Sequence, residues 1–491
     1  MSSTGPTLRS TAGRPRRPAG ARVAVLLLAV AVGVAFADSS IVVIALPELL
    51  GRFDTTIPAV SWVITAYNLT VAVVALALVP FMRHLSAAWL TRAGLMVFSV
   101  ACVVCAAAQS LGVLVAARAA QGVGGALLLA GAVSLLVAAT GSTGHGVRVW
   151  GVAAVVGAAV GPALGGVLTQ VADWRAIFIA QVPVGLVALA ATRAPRAPGA
   201  RRGRVILAGG GPPPALAGAG AGDEAVPRAG VLWGATAALG LISGALVGAL
   251  FLASVLVIDG WGREPLFAAL VVSALPAGAA LAEPLARWAR PMAAMAGGTA
   301  MVAGSMFAMA ITREQDPAYL AAALGLAGLG LGLAVPPLTR LSLAGADPAS
   351  AGSRSVGARH AGLVIGLVLM APLLSADLAE VSDRATLVGA ARLVDSSLSV
   401  GDKVVVGRAL EEELARTPTG SVPDLRAAAE AGEGGDPAAR ASLGDQLEAL
   451  IAPAVTRGFR GSFLLCALLG ALALLPLAAM AAARGAPRGA P

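Results

Sequence analysis

The sequence predicts an all-α integral membrane protein of twelve transmembrane helices in two groups of six, and three observations carry the prediction. Of 491 residues, 57% are hydrophobic and 12% charged, with mean hydropathy +0.84; that leaves too little polar surface for a water-soluble fold of this size. The apolar residues come in blocks of about 18 to 25, the length that crosses a hydrocarbon core of about 30 Å. Between the blocks, arginines are distributed unequally on alternate sides.

Taken in order, the apolar spans fall near 22–46, 58–80, 93–109, 111–138, 149–169, 175–192, 229–257, 265–282, 292–311, 318–337, 358–375 and 461–483. Residues 1–21 form a basic tail with Arg9, Arg14, Arg16 and Arg17. The run that follows is too long for a signal peptide and lacks a small-residue cleavage site, so it reads as a retained first helix. A polar, Pro/Gly-rich stretch, 193–228, separates six spans from six and reads as the linker between half-domains 22–192 and 229–483. Residues 376–460 interrupt the second half with fourteen acids and nine bases. Helical patterning there around Leu410, Leu414, Leu447 and Leu450 predicts short helices over 402–416 and 424–455. A tail, 484–491, closes the chain.

An even number of crossings puts both termini on one side. If that side is cytoplasmic, the inner segments hold twenty-one arginines, against Arg52, Arg175, Arg263 and Arg313 in the short outer loops. This satisfies the positive-inside rule: both termini are cytoplasmic and 376–460 lies outside. The net charge of +9 then reports topology and not nucleic acid, since no basic stretch is interleaved with exposed aromatics. One lysine against 34 arginines, with heavy Ala, Gly and Pro, suits a high-GC bacterial genome and an inner, or plasma, membrane. Cys102 and Cys105 lie inside an apolar span, where they read as small packing residues. No metal spacing, phosphate loop or catalytic triad appears, so neither a metal, a cofactor nor an enzymatic activity is expected.

Two spans carry charge where lipid makes it costly. Asp38 is a lone carboxylate in the first span, a little outward of its centre, and must either hold a proton or meet a cation. Arg118 in the fourth span lies near the same depth, with Gln121 one turn on and on the same face. Beside a buried cation an acid can stay ionised; released from it, the acid can take a proton. That is the physical requirement for proton coupling, and a static pair locking two helices is the alternative. In the fifth span Gly157, Gly161 and Gly165 repeat every four residues, with Pro162 and Gly166 beside them. Such a stripe allows close packing, and the proline permits bending.

These runs resemble signatures of the drug:proton antiporter branch of the major facilitator superfamily. Asp38-Ser39-Ser40-Ile41-Val42-Val43-Ile44-Ala45-Leu46-Pro47 is similar to D-x-T-I-V-N-V-A-L-P, Arg118 to Gly124 is similar to R-x-x-Q-G-x-G, and Gly157 to Gly166 resembles G-x-x-x-G-P-x-x-G-G. Trp62 to Tyr67 and Trp174 to Phe178, followed by Gln181, Pro183 and Gly185, also match that branch. The resemblance implies two six-helix bundles rocking about a central cavity in the major facilitator fold, and an exporter acting as a monomer. It implies Asp38 and Arg118 as the proton-coupling residues, a small-molecule substrate held near Gln121, Tyr67, Asn68 and Trp62, and an antiport motif at Gly157, Gly161, Pro162, Gly165 and Gly166. One departure stands out: the loop 81–92 lacks the glycine and aspartate of the family's G-x-L-a-D-r-x-G-r-[KR], leaving Arg83 and Arg92 as the cytoplasmic gate residues. A dedicated exporter of one metabolite or envelope component, and a transport-inactive scaffold that binds a partner through 376–460, are the rival readings.

His84, His145 and His360 fall near helix ends, which predicts interfacial placement. Asp259, Glu264, Glu283 and Asp347 sit at loop boundaries within reach of water. With Asp38 and Arg118 as the only deep charges, the spans favour neutral or weakly charged substrates.

Overall fold

The computed structural model describes residues 19–193, 229–286, 288–312, 315–344, 347–416, 423–430 and 437–485. Most of the N-terminal tail, the 193–228 linker and the final tail therefore lie outside the described residues, as do Arg287, Arg313 and the side chain of Glu283. All regular structure among the described residues is helical.

The first half comprises α1 (Ala19–Ile41), α2 (Ile57–Leu78), α3 (Ala87–Ala107), α4 (Leu111–Thr140), α5 (Thr143–Val171) and α6 (Gln181–Ala191). The second comprises α7 (Ala229–Val255), α8 (Pro265–Val272, resumed as Ala274–Ala286), α9 (Pro291–Ala310), α10 (Pro317–Ser342) and α11 (Pro348–Asp395). Then come α12 (Val400–Arg416), α13 (Leu425–Glu430) and α14 (Pro437–Gly458), before α15 (Arg460–Leu472, resumed as Leu474–Gly485) completes that half. Among the described residues eleven helical runs are long and apolar enough to cross a membrane, and Arg175–Ala191, where the sixth span was predicted, is a shorter apolar helix.

Helix starts follow capping chemistry. The Ser86, Ser110 and Ser142 hydroxyls accept from the N–H groups of Trp89, Val113 and His145, satisfying donors that the first helical turn leaves free. Asp347 does the same for Ala349 and Ser350, each at 3.2 Å, with Pro348 at the first helical position. That cap overturns one sequence boundary. The eleventh helix begins near 348 and not 358, and it continues to Asp395 as a single 48-residue helix, carrying the chain straight out of the apolar span.

The two halves share a packing device. A Cβ on Gly157 would overlap the Gly33 carbonyl, and one on Gly362 would overlap the Gly240 carbonyl. The first and fifth helices of each half thus touch backbone to backbone through glycine. Third and fourth helices repeat the theme, with Gly94 on Gly124 in one half and Gly298 on Gly330 in the other. In lipid, where no hydrophobic drive favours helix association, such close approach gains dispersion contact. The outer faces carry exposed Val73, Val100, Val103, Leu270 and Leu281, suited to an acyl-chain environment.

Between α11 and α15 the described residues of the polar segment are helical, with the predicted 424–455 helix present as two pieces, Leu425–Glu430 and Pro437–Gly458. Its helices α12, α13 and α14 close around a separate core of Leu398, Val406, Leu410, Leu425, Leu443 and Leu447. Where α14 returns to α11, a cleft of about 490 Å³ is lined by Asp377, Glu380, Arg384, Arg457 and Arg460 among others.

Candidate proton-coupling site

Asp38 sits one turn before the end of α1, where the helix tightens into a 3-10 turn over Val42–Ala45. Its carboxylate is fully buried and fully engaged. Arg118 Nη1 donates to Oδ2 at 2.5 Å, and the amides of Gln121 and Gln181 donate to Oδ1 at 3.0 and 2.9 Å. Charge-assisted bonds of this kind are stronger than neutral ones, and together they offset the desolvation of two ions at 0% exposure.

Arg118 is held as completely. Nε donates to the Val63 carbonyl at 2.8 Å, Nη1 also to Gln121 Oε1 at 2.6 Å, and Nη2 to the Asp38 carbonyl at 3.4 Å. The guanidinium lies 4.5 Å from the centre of the Tyr67 ring and 5.7 Å from that of Phe178, an arrangement that favours a desolvated cation. The spacing of Arg118 and Gln121, one helical turn apart, is what lets one helix present both groups to α1.

The sequence-predicted residues divide when placed in space. Tyr67 and Asn68 join the network: the Tyr67 hydroxyl donates to the Ala35 carbonyl at 2.7 Å, and the Ser39 hydroxyl donates to Asn68 Oδ1 at 3.0 Å. With Gln121 they are wholly buried and partnered within the protein. Trp62 does not join. It is 46% exposed, on one outward stripe with Leu69, Val73 and Leu76, because positions 62, 69, 73 and 76 share a helix face opposite Tyr67.

The α5 motif packs where its spacing indicates. A side chain at Gly157, Gly161 or Gly165 would strike Gly33, Ser40 or Ile41 of α1 and the turn that follows it, whereas one at Gly166 would strike Ala269 of α8 in the other half. The Ser40 hydroxyl adds a 3.0 Å bond to the Ala158 carbonyl. Pro162 is buried within the same helix.

Arg83 and Arg92, expected at the cytoplasmic gate, lie on the surface. Among the described residues neither pairs with a carboxylate; Arg83 Nε meets only His84 Nε2, at 3.0 Å. At that end the halves are joined instead by α2 and α11. Ser353 donates to the Ala75 carbonyl at 2.6 Å, Ser350 to the Val79 carbonyl at 3.4 Å, and Gly357 receives the Leu76 side chain.

His360 is corrected as well. With α11 starting at Pro348, this histidine lies in the interior and only 1% of it is exposed. Its ring centre stands 5.9 Å from that of Phe36 and 6.4 Å from that of Tyr67. Arg359 precedes it, only partly exposed, with its guanidinium 4.8 Å from the centre of Phe36. Asp38 and Arg118 are therefore not the only deep charges.

Sequence reasoning also missed the role of Gln181, and it took Cys102 and Cys105 for packing alone. Both thiols meet Gln121, Cys102 Sγ at 3.1 Å from Nε2 and Cys105 Sγ at 3.8 Å from Oε1. A polar amide inside an apolar span was the available signal.

Among the described residues, eleven helical runs long and apolar enough to cross a membrane, with a shorter twelfth, describe a multi-pass, all-helical membrane protein. Residues 28–376 match the Major Facilitator Superfamily, and the chain belongs to that family. It is similar to the methylenomycin A resistance protein of Bacillus subtilis, 35% identical over 167 residues that make up 33% of this chain and 36% of the relative. It is also similar to the riboflavin transporter RibZ of Clostridioides difficile, 25% identical over 34% of this chain and 37% of that one. These matches span only about a third of the relatives' own length. In fold, the chain resembles a crystal structure of a bacterial homologue of the human lysosomal transporter Spinster, inward-facing and unoccupied. The TM-score is 0.60 at 15% identity, covering 97% of this chain and all of the other.

Proposed function

We propose that this protein is a proton-coupled antiporter that expels small amphipathic or hydrophobic compounds by alternating access, acting as a monomer with both termini in the cytoplasm. The observation that carries the reading is the Asp38–Arg118 pair, buried at 0% exposure and braced by Gln121 and Gln181. Helices α4 and α6 converge on the α1 carboxylate, and the backbone of α2 holds Arg118 through the Val63 carbonyl. Any movement of α4 or α6 against α1 exchanges its partners, and an acid deprived of its cation in this setting takes up a proton. The half-domains 22–192 and 229–483 would rock about the seam, joined by the linker 193–228. Gly166 on Ala269 at one end and Ser353 on Ala75 at the other are the contacts that must part in turn.

The test is efflux of a panel of lipophilic dyes and antibiotics from everted membrane vesicles under an imposed pH gradient. Asp38→Asn keeps the shape but cannot carry charge, and gradient-driven efflux is expected to vanish. Efflux that persists in this variant removes Asp38 as the coupling residue.

A second reading, a dedicated exporter of one metabolite or envelope component, draws on the similarity to a riboflavin transporter and on the separate core of α12, α13 and α14. Deleting 380–455 separates the two: a general exporter keeps efflux, whereas one that hands cargo to its outer segment loses it. A transport-inactive scaffold would show no transport in either form, and its partner binding would be lost with the segment.

A further inference from the structure

The seam between the halves holds a cation that no described residue neutralises. Arg359 lies about 17 Å along α11 from its first residue at 1.5 Å per residue, and among the described residues it makes no hydrogen bond and no ion pair; its recorded contact is the face of Phe36. Within their bounds α2, α4, α5 and α7 carry no aspartate or glutamate. The only acid in α1 is Asp38, already engaged by Arg118, Gln121 and Gln181. The first acid of α11 itself is Asp377, about 27 Å farther along the helix. An unpaired guanidinium at this depth is costly, and the described residues offer it no counter-ion.

Two further polar groups around Phe36 are equally without partners. Trp150 stands edge-on to Phe36, with ring centres 5.4 Å apart and planes at 84°, and its indole Nε1–H is buried with nothing to donate to. His360 donates from Nδ1 to the Val356 carbonyl at 2.9 Å, leaving Nε2 buried and unpartnered. Buried polar groups are almost always paired, so a guanidinium and an indole N–H left free around one phenylalanine call for a ligand that supplies acceptors, while His360 Nε2, an acceptor in this tautomer, can take a donor from the same ligand.

We infer that Phe36, Trp150, Arg359 and His360 form a binding site for an amphipathic organic anion, its charged head on Arg359 and the Trp150 N–H and its aromatic or aliphatic body against Phe36. Arg suits the head because its planar fork presents several donors to a carboxylate or sulfonate. The inference deepens the exporter reading by giving its cargo a class, and it rests on that reading for the site's role in transport, though not for binding itself. Because Phe36 and Trp150 come from the first half and Arg359 and His360 from the second, a ligand here touches both halves.

The test measures equilibrium binding to the purified full chain in zwitterionic nanodiscs, with empty discs subtracted. Two probes share an aromatic body: 8-anilinonaphthalene-1-sulfonate, an anion, and N-phenyl-1-naphthylamine, uncharged. Wild type is expected to bind the sulfonate at least tenfold more tightly than the amine. Arg359→Gln should weaken the sulfonate at least tenfold and shift the amine by less than twofold, while Arg359→Lys recovers most of the loss. Trp150→Phe removes the N–H together with one ring of the indole; the loss of packing is read from the uncharged amine, and the sulfonate should weaken about threefold more than the amine, which decides the matter if the Arg359 variants do not fold. Equal binding of both probes by wild type, or sulfonate binding indifferent to these substitutions, overturns the site. Asp38-dependent efflux of uncharged dyes would then still stand, whereas failure of proton coupling would leave anion binding to the purified protein intact.

Discussion

The two halves are built alike and charged differently. Each packs its first helix against its fifth through glycine, Gly33 on Gly157 and Gly240 on Gly362. Five residues after Gly33 comes Asp38, matched by three donors; five residues after Gly240 comes Ala245, buried and apolar. The first half contains its deep cation, Arg118, and satisfies it entirely. The second half presents Arg359 and His360 Nε2 to the seam, and among the described residues neither has a polar partner. The same scaffold thus carries a self-neutralised site in one half and an open one in the other, and an internal repeat of helices does not oblige the two copies to share chemistry.

The comparison breaks most visibly at Asp38. Asp38→Ala strands Arg118 in the interior, and losing one partner of a buried pair costs about 3–5 kcal/mol. Thermal unfolding in detergent should show a large drop, partly recovered when Arg118→Ala is added. If Asp38→Ala costs no more than Arg359→Ala, the asymmetry between the halves is wrong. Gln181→Leu removes one charge-assisted bond from the same carboxylate and should cost about 1.5–3 kcal/mol, again read as a fall in the unfolding midpoint.

Glycine substitutions sharpen the shared part. Gly161→Val and Gly362→Val each drive a branched side chain into a facing helix, with an expected cost of about 1–3 kcal/mol of similar size in both halves. A much smaller loss at Gly362 would mean that the second half does not depend on close packing. The smallest effect has the opposite sign. Arg359→Gln relieves an uncompensated cation but gives up its contact with Phe36, so ligand-free protein should gain about 1 kcal/mol, the difference between terms of roughly 3 and 2 kcal/mol. A loss of stability in the same unfolding experiment would reveal a counter-ion within the chain.

Much of this was legible in the sequence because lipid simplifies the reading. Apolar run length located twelve crossings, and Asp38 and Arg118 stood out because charge inside such runs has few alternatives. Arg359 and His360 were misplaced because the first three turns of α11, with Ser350, Ser353, Arg354 and Ser355, look like loop when hydropathy alone sets the boundary. The pair Asp347-Pro348, a capping acid followed by a proline at the first helical position, is the signal that would have put the start ten residues earlier. Trp62 was misread for a different reason: an aromatic near a polar cluster in sequence can face the opposite side of its helix, and the apolar periodicity through Leu69, Val73 and Leu76 marks the outward face. The side-chain engagement of Gln181 depends on three helices meeting, which spacing along one of them does not reveal.

The continuity of α11 has a mechanical consequence. From Pro372 to Asp395 the helix runs on for about 35 Å and ends beside the small core that α12, α13 and α14 enclose. A turn of about 10° in the membrane-embedded portion sweeps the far tip through about 6 Å, the geometry of a pointer fixed to a dial. Each stroke of the second half would be displayed, enlarged, beyond the membrane surface, where a pair of distance labels on the outer helices could follow it in real time.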